Sequence, residues 1–301
     1  MAGKVPVGGT LAHAYSFAFG NIVNNLGLIW IPVAILWTAA YFLQAPYLRA
    51  SMASAGPSPS AALAALPMLT AFLAVNAIVQ SAQIASLNKE ALGLRTGNAF
   101  LQFPFGPATW RVLGAFALYF IVMIIIYIGL SLASILTAGL STALLAKSGA
   151  VGAVIGATIL LGFLGALLYV GTRLSFFLVP VAIVERRVSL IRAWQLTGGN
   201  FWRIFFVLLV LFVPFLILEL YYLFKLLGPF FQSLHANMTP QELRAWQQHF
   251  VSGTTGFSQR WWFVTYPVGV LVTLILYGMY AGASAHAYRA VTYEDHSLEV
   301  F

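Results

Sequence analysis

Very few side chains in this chain can do acid–base or nucleophilic chemistry, and their positions matter more than their number. The 301 residues include 7 carboxylates, 5 histidines and no cysteine, which excludes disulfides, thiol catalysis and cysteine metal sites. One acid, Glu219, falls inside a long apolar run, where a charge marks a functional hypothesis by default. Tyr221, Tyr222 and Lys225 follow closely, so hydration or pairing near an interface is the plainer account of it. Asn76, Gln80 and Gln83 recur at i, i+4 and i+7 and form a polar stripe on one helical face. In hydrocarbon that stripe must face protein, either as interhelical hydrogen bonds worth about 1 kcal/mol each or as a polar path for a solute.

His13, His235, His249, His286 and His296 show neither H-x-x-x-H nor H-E-x-x-H spacing, so no metal-ligand set is expected. The chain also lacks a G-x-S-x-G elbow, a phosphate loop and a G-x-G-x-x-G fingerprint. Glu185 lies among Arg186, Arg187 and Arg192. Arginine stays cationic, so this cluster suits contact with phosphate better than proton abstraction. The expectation is a non-catalytic protein without cofactor or metal.

The elements that must position these groups are membrane helices. Hydrophobic residues make up 61% of the chain and charged residues 7%, far from the balance of a soluble domain. A helix needs about 20 apolar residues to cross hydrocarbon. The candidate spans are Ile22 to Leu43, Ala61 to Ser86, Val112 to Thr137, Ala150 to Thr172, Ile204 to Leu226 and Trp262 to Tyr288. The longest interruption, Gly228 to Trp261, is too short for a further globular domain. One membrane domain over residues 1–301 is therefore expected. Lys4 is followed by polar and small residues rather than a continuous apolar core, so the first span is expected to be retained.

Of the 15 basic residues, Lys4, Lys89, Arg95, Arg111, Arg173, Arg186, Arg187, Arg192, Arg203 and Arg289 fall on the side of the termini. Arg49, Lys147, Lys225, Arg244 and Arg260 fall opposite. This bias predicts cytoplasmic N- and C-termini. It also accounts for the net charge of +8 through lipid headgroups, and no nucleic-acid partner is expected.

The spans repeat in pairs. Thr10-Leu11-Ala12-His13-Ala14-Tyr15, reaching Gly20-Asn21, is echoed by Ser189-Leu190-Ile191-Arg192-Ala193-Trp194, reaching Gly199-Asn200. Trp110-Arg111 before span three is echoed by Trp202-Arg203 before span five. The even spans carry small residues at helical spacing: Ala77, Ser81 and Ala85; Gly152, Gly156, Gly162 and Gly165; Gly278, Gly282 and Ala285. Such rows let backbones approach closely in lipid. The odd spans are bulky, with Ile124, Ile125 and Ile128 or Phe205, Phe206 and Phe212. The pattern predicts three tandem hairpins, approximately 8–95, 100–184 and 188–292, with the even spans inside and the odd spans on the rim. Short interfacial helices are expected over Thr10–Phe19 and Ser189–Leu196, lying in the headgroup plane. A capping box at Thr239-Pro240-Gln241-Glu242 predicts another helix through about Phe250, with Leu243, Trp246 and Phe250 on one face.

Arg173, Arg192 and Arg203, with Trp194 and Trp202, should form a belt gripping anionic phospholipid headgroups. The stretch Arg173-Leu174-Ser175, Phe177-Leu178-Val179-Pro180, Glu185, Ser189 and Ala193 through Thr197, closing at Gly199 through Ile204, resembles the bacterial glycerophosphoryl diester phosphodiesterase membrane-domain family and its uncharacterised relatives. The resemblance implies a multi-span domain of the bacterial inner membrane, in some relatives fused to a phosphodiesterase domain. No room remains in this chain for that catalytic barrel. The expected function is lipid binding or organisation, or service as a membrane partner of another protein or of a second copy. The rival is a transporter of a small or lipid-like solute, using Asn76, Gln80, Gln83 and Glu219.

Overall fold

The computed structural model describes residues 3–44, 59–95, 97, 99–101, 104–145, 149–232, 239, 241–242, 245–246 and 262–298. Six helices are long and apolar enough to cross a membrane, and the described residues contain no strand. The chain is an all-α polytopic membrane protein. Helix α1 (Val7–Gly20) leads into α2 (Ile22–Ala39), which ends in a π turn, and α3 (Pro59–Ala91) returns. A 3-10 turn over Ala99–Leu101 precedes α4 (Pro107–Leu145) and α5 (Gly149–Ser175). The short helices α6 (Leu178–Val184) and α7 (Leu190–Leu196) connect to α8 (Phe201–Gln232), and α9 (Trp262–Leu298) is the last.

Local chemistry sets several boundaries. Helix α3 closes in a Schellman motif: Leu94 N–H donates to the Lys89 carbonyl and Gly93 N–H to that of Glu90, each at 2.9 Å. Gly93 takes φ +63° there, which costs glycine little. Ser189 Oγ accepts from Arg192 N–H at 3.2 Å and caps α7. Thr239 and Glu242 exchange the two bonds of the expected capping box, at 2.7 and 3.3 Å. Gln241, Glu242, Ala245 and Trp246 are helical, while Leu243, Arg244, Gln247, Gln248 and Phe250 lie outside the described residues.

Helix α9 is the axis of the bundle, in contact with α1, α2, α3 and α8, whereas α5 packs mainly on α4, α7 and α8. Spans two and six therefore meet inside, whereas among the described residues span four reaches span six at its end, where Ser175 meets Tyr280. The glycines of the two spans are set differently. A Cβ added at Gly162 or Gly165 would find nothing within 4 Å, whereas one at Gly282 would lie 3.0 Å from Phe17 Cβ and 3.1 Å from Ala14 Cα. One at Gly278 would lie 3.4 Å from Ala18 Cα. The surroundings of Gly152 and Gly156 lie outside what is described.

Those contacts also correct the expected setting of α1. Gly9, Ala14 and Ala18 sit in turn beside His286, Gly282 and Gly278, so α1 runs antiparallel along α9 at a shallow angle. Its small residues fit a small-residue groove, and it docks lengthwise instead of lying across the headgroup plane.

Burial is concentrated at one end, here called the basic end. Helix α3 is buried from Val79 to Leu92, α4 at Val112 and Ala115, α8 at Ile204, Val207 and Leu211, and α9 from Leu274 to Val291. Toward the distal end the helices separate. Residues 216–221 of α8 are all exposed, and six residues at about 100° each sweep the whole circumference. Apart from Glu219 that circumference carries aliphatic or aromatic side chains, which suits hydrocarbon.

A short element that no span-length apolar run announces lies between α5 and α7. Helix α6, with Leu178 through Ile183 all buried, plugs the basic end against α3, α4 and α7. Tyr280 Oη donates to the Ser175 carbonyl at 2.9 Å, satisfying an end of α5 that would otherwise be orphaned. Pro180 falls in the first turn of α6, where its missing N–H costs nothing.

Candidate functional site

The two tryptophans of the belt are linked by a chain of aromatic contacts, but its five residues do different work. Tyr169 meets Trp194 at 6.0 Å and Phe201 at 4.7 Å between ring centroids, and Phe201 meets Trp202 at 5.1 Å. Arg173 turns inward. Its Nε donates to Thr197 Oγ1 at 3.3 Å, Nη1 to Tyr169 Oη at 2.9 Å and Nη2 to the Trp194 carbonyl at 2.9 Å. Its guanidinium carbon stands 3.8 Å from the centroid of the Trp194 ring. All three nitrogens and one face are thus engaged, so Arg173 is a strut tying α5 to α7.

Arg192 is also occupied. Its Nε donates to Glu185 Oε1 at 3.0 Å, Arg187 Nε donates to Glu185 Oε2 at 2.8 Å, and Tyr288 Oη donates to Oε1 at 3.2 Å. The bend that presents Glu185 runs through Arg186, whose φ of 53° is left-handed and uncommon outside glycine. Burial raises the Glu185 pKa, but the bonds and charges of Arg192 and Arg187 outweigh it and hold the carboxyl below 4.5.

Trp202 and Arg203 face outward, and the Trp202 side of the pair is 75% exposed. The echo of this pair at the start of α4 behaves alike. Trp110 is 54% exposed, and Arg111 Nε donates to the Pro107 carbonyl at 3.2 Å. Arg203 Nη1 donates to the Val5 carbonyl at 3.1 Å. Next to it, Asn200 clamps the start of the chain: Oδ1 accepts from Val5 N–H at 3.0 Å and Nδ2 donates to the Gly3 carbonyl at 2.8 Å. Sequence reading aligned Asn200 with Asn21 but gave it no role.

The polar stripe of span two is a bonded seam for most of its length. Tyr277 Oη donates to Gln80 Oε1, and Gln80 Nε2 reaches Asn76 Oδ1 at 3.4 Å. Ser284 Oγ donates to Asn88 Oδ1 at 3.1 Å. Gln83 is buried, and its Oε1 has no hydrogen-bond partner; the same holds for Asn25 Oδ1 on α2. Glu219 does not belong to this interior. It sits among the exposed residues 216–221 of α8, on a stretch no neighbouring helix covers, so nothing brings it to the stripe.

One further cluster escaped the sequence reading. His13 of α1 and His286 of α9 stack with ring centroids 5.2 Å apart, and Thr10 Oγ1 lies 3.2 Å from His286 Nδ1. Burial, then the charges of His286 and Arg289, lower the His13 pKa below 6.5. The signal was the docking register of α1, which neither histidine's local spacing contains. Comparison with known proteins finds no matching family model, curated protein or solved structure.

Proposed function

We propose that this is a non-catalytic multi-pass protein of the bacterial inner membrane, with cytoplasmic termini, that binds or organises anionic phospholipid at its basic end. Such a protein also serves readily as a membrane partner subunit. The observation that carries this reading is the repeated Trp–Arg pair. Trp110 and Trp202 are both exposed beside Arg111 and Arg203, whose bonds go to backbone carbonyls. The two carboxylates nearby are already matched, Glu90 by Arg95 and Glu185 by Arg187 and Arg192. An exposed indole at headgroup depth beside an arginine without a carboxylate suits an anionic lipid. The likeness of the 173–204 stretch to the membrane-domain family named above supports the same location.

Native mass spectrometry of the detergent-extracted protein tests this reading and reports bound lipid, partner subunits and stoichiometry together. Arg111→Lys and Arg203→Lys keep charge but lose the planar fork. Weaker retention of phosphatidylglycerol or cardiolipin in both is expected; unchanged retention in both overturns the reading. The transport alternative draws on the unpartnered Gln83 and Asn25 oxygens. A solute flux in proteoliposomes that Gln83→Leu abolishes would favour it.

A further inference from the structure

The cationic groups where α1 meets α9, like Arg111 and Arg203, have no carboxylate bonded to them among the described residues. Arg95 binds Glu90, Arg187 and Arg192 bind Glu185, and Arg173 is spent on three internal bonds. Arg289, one turn beyond His286, makes a single long contact from Nη2 to the Ala91 carbonyl at 3.4 Å. Among the described residues, no carboxylate bonds to Arg289, His286 or His13. Two imidazoles and a guanidinium are thus brought together by two helices with no carboxylate bonded to them among the described residues.

The surrounding elements leave room beside them. A Cβ on Gly8 would meet nothing within 4 Å, and one on Gly9 would lie 3.3 Å from His286 Cε1 and 3.7 Å from its Nε2. Gly93, held in the left-handed region by the Schellman turn, would carry a Cβ 3.5 Å from Arg289 Nη2. Side chains at Gly9 and Gly93 would crowd the ring nitrogen and the guanidinium. As glycines, they leave both open.

We propose that His13, His286 and Arg289 form a binding site for a phosphate group, with affinity that rises as the imidazoles gain protons. Arginine offers phosphate two parallel N–H donors, and a protonated imidazole adds a charge-assisted one. Two imidazolium rings at this spacing beside a guanidinium repel one another, so the anion and the added protons enter together. The charged and titratable groups of the packed elements are His286, Tyr288 and Arg289 from α9, followed on the same helix by Tyr293, Glu294, Asp295 and His296, whose side chains lie outside what is described, and Arg203 from α8, held by the Val5 carbonyl. The end of α3 adds Lys89 and the Arg95-bound Glu90, and α1 adds Tyr15 and, before it, Lys4; α2 adds none over Ile22–Ala39. The cluster shares no residue with the Trp–Arg pairs and stands whether or not those bind lipid. Its ligand is a phosphate monoester or diester, carried by a lipid or free in solution.

The test is the titration of the two imidazoles by NMR in the full-length, histidine-labelled protein. One arm uses detergent with inorganic phosphate against chloride at equal ionic strength. Another uses nanodiscs of phosphatidylcholine with and without phosphatidic acid. Phosphate should raise the pH at which both rings titrate by about half a unit or more, and the arm that produces the rise identifies a free or a lipid source. Arg289→Gln should remove the rise while both rings still titrate, and Arg289→Lys should keep part of it. Should Arg289→Gln loosen the fold, His13→Gln provides the second reading, through a smaller rise at His286. Equal titration in every arm, or a full rise retained in Arg289→Gln, overturns the site.

Discussion

Glycines at helical spacing occur in span four and span six, with opposite outcomes. In α9, Gly278 and Gly282 accept the backbone of α1 at near-contact distance; in α5, Gly162 and Gly165 face open space. The difference is the partner. Helix α1 presents Ala14, Phe17 and Ala18 in register with the α9 glycines, and nothing comparable approaches α5. A small residue in a membrane helix permits close packing, but only a complementary second surface turns that permission into stability. The contrast extends to whole regions: the basic end is packed around α6 and α9, while residues 216–221 of α8 toward the distal end are exposed.

Gly282→Leu should break the contrast most strongly. Its side chain would have to displace backbone, and the overpacking should cost about 1–3 kcal/mol or more. A matching loss of thermal stability in one detergent is expected, and parent-like melting would show the groove to be loose. Arg173→Lys comes next, because it loses the fork and the stacking on Trp194; about 1–2 kcal/mol is expected. Lipid retention in native mass spectra should be unaffected, in contrast to Arg203→Lys. Gly162→Ala should move the other way and stabilise α5 by up to about 1 kcal/mol, since the added methyl meets nothing. Any destabilisation there would reveal a neighbour. The smallest effect is that of pH on the docking of α1. His13 has its pKa lowered below 6.5 in the docked state. Docking is therefore strongest above pH 6.5 and weakens as pH falls from there through the lowered value. His13 is partly exposed, so the loss should be small. Hydrogen exchange of α1 amides at pH 7.5 and 5.5 would detect it, and His13→Gln should flatten the dependence.

The spans were legible because twenty apolar residues in a row have few other uses, and the cap at Thr239 because its bonds are local. The Trp–Arg repeat was legible as a motif. What escaped the sequence depends on partners distant in the chain. Helix α6 is too short to span and apolar on every side, so its pattern does not tell a buried plug from a bend. Arg173 looked like a span-end anchor because Thr197 and the Trp194 carbonyl reach it only after α7 folds back. Glu219, a candidate for the interior only in the transport reading, sits on an exposed stretch of α8. The pairing of His13 with His286 follows from the docking of α1, which no local spacing encodes.

That docking also fixes an order of events in time. Thr10 and His286 are 276 positions apart, so the groove that receives the first helix does not exist until the last helix has been made. At synthesis rates of about 5–20 residues per second, α1 waits roughly 15–55 s without its partner. The Asn200 clamp on Gly3 and Val5 becomes available earlier, once α8 has begun. The start of the chain is thus moored to the fifth span before it is seated on the sixth, and a nascent chain halted between the two would carry α1 tethered but undocked.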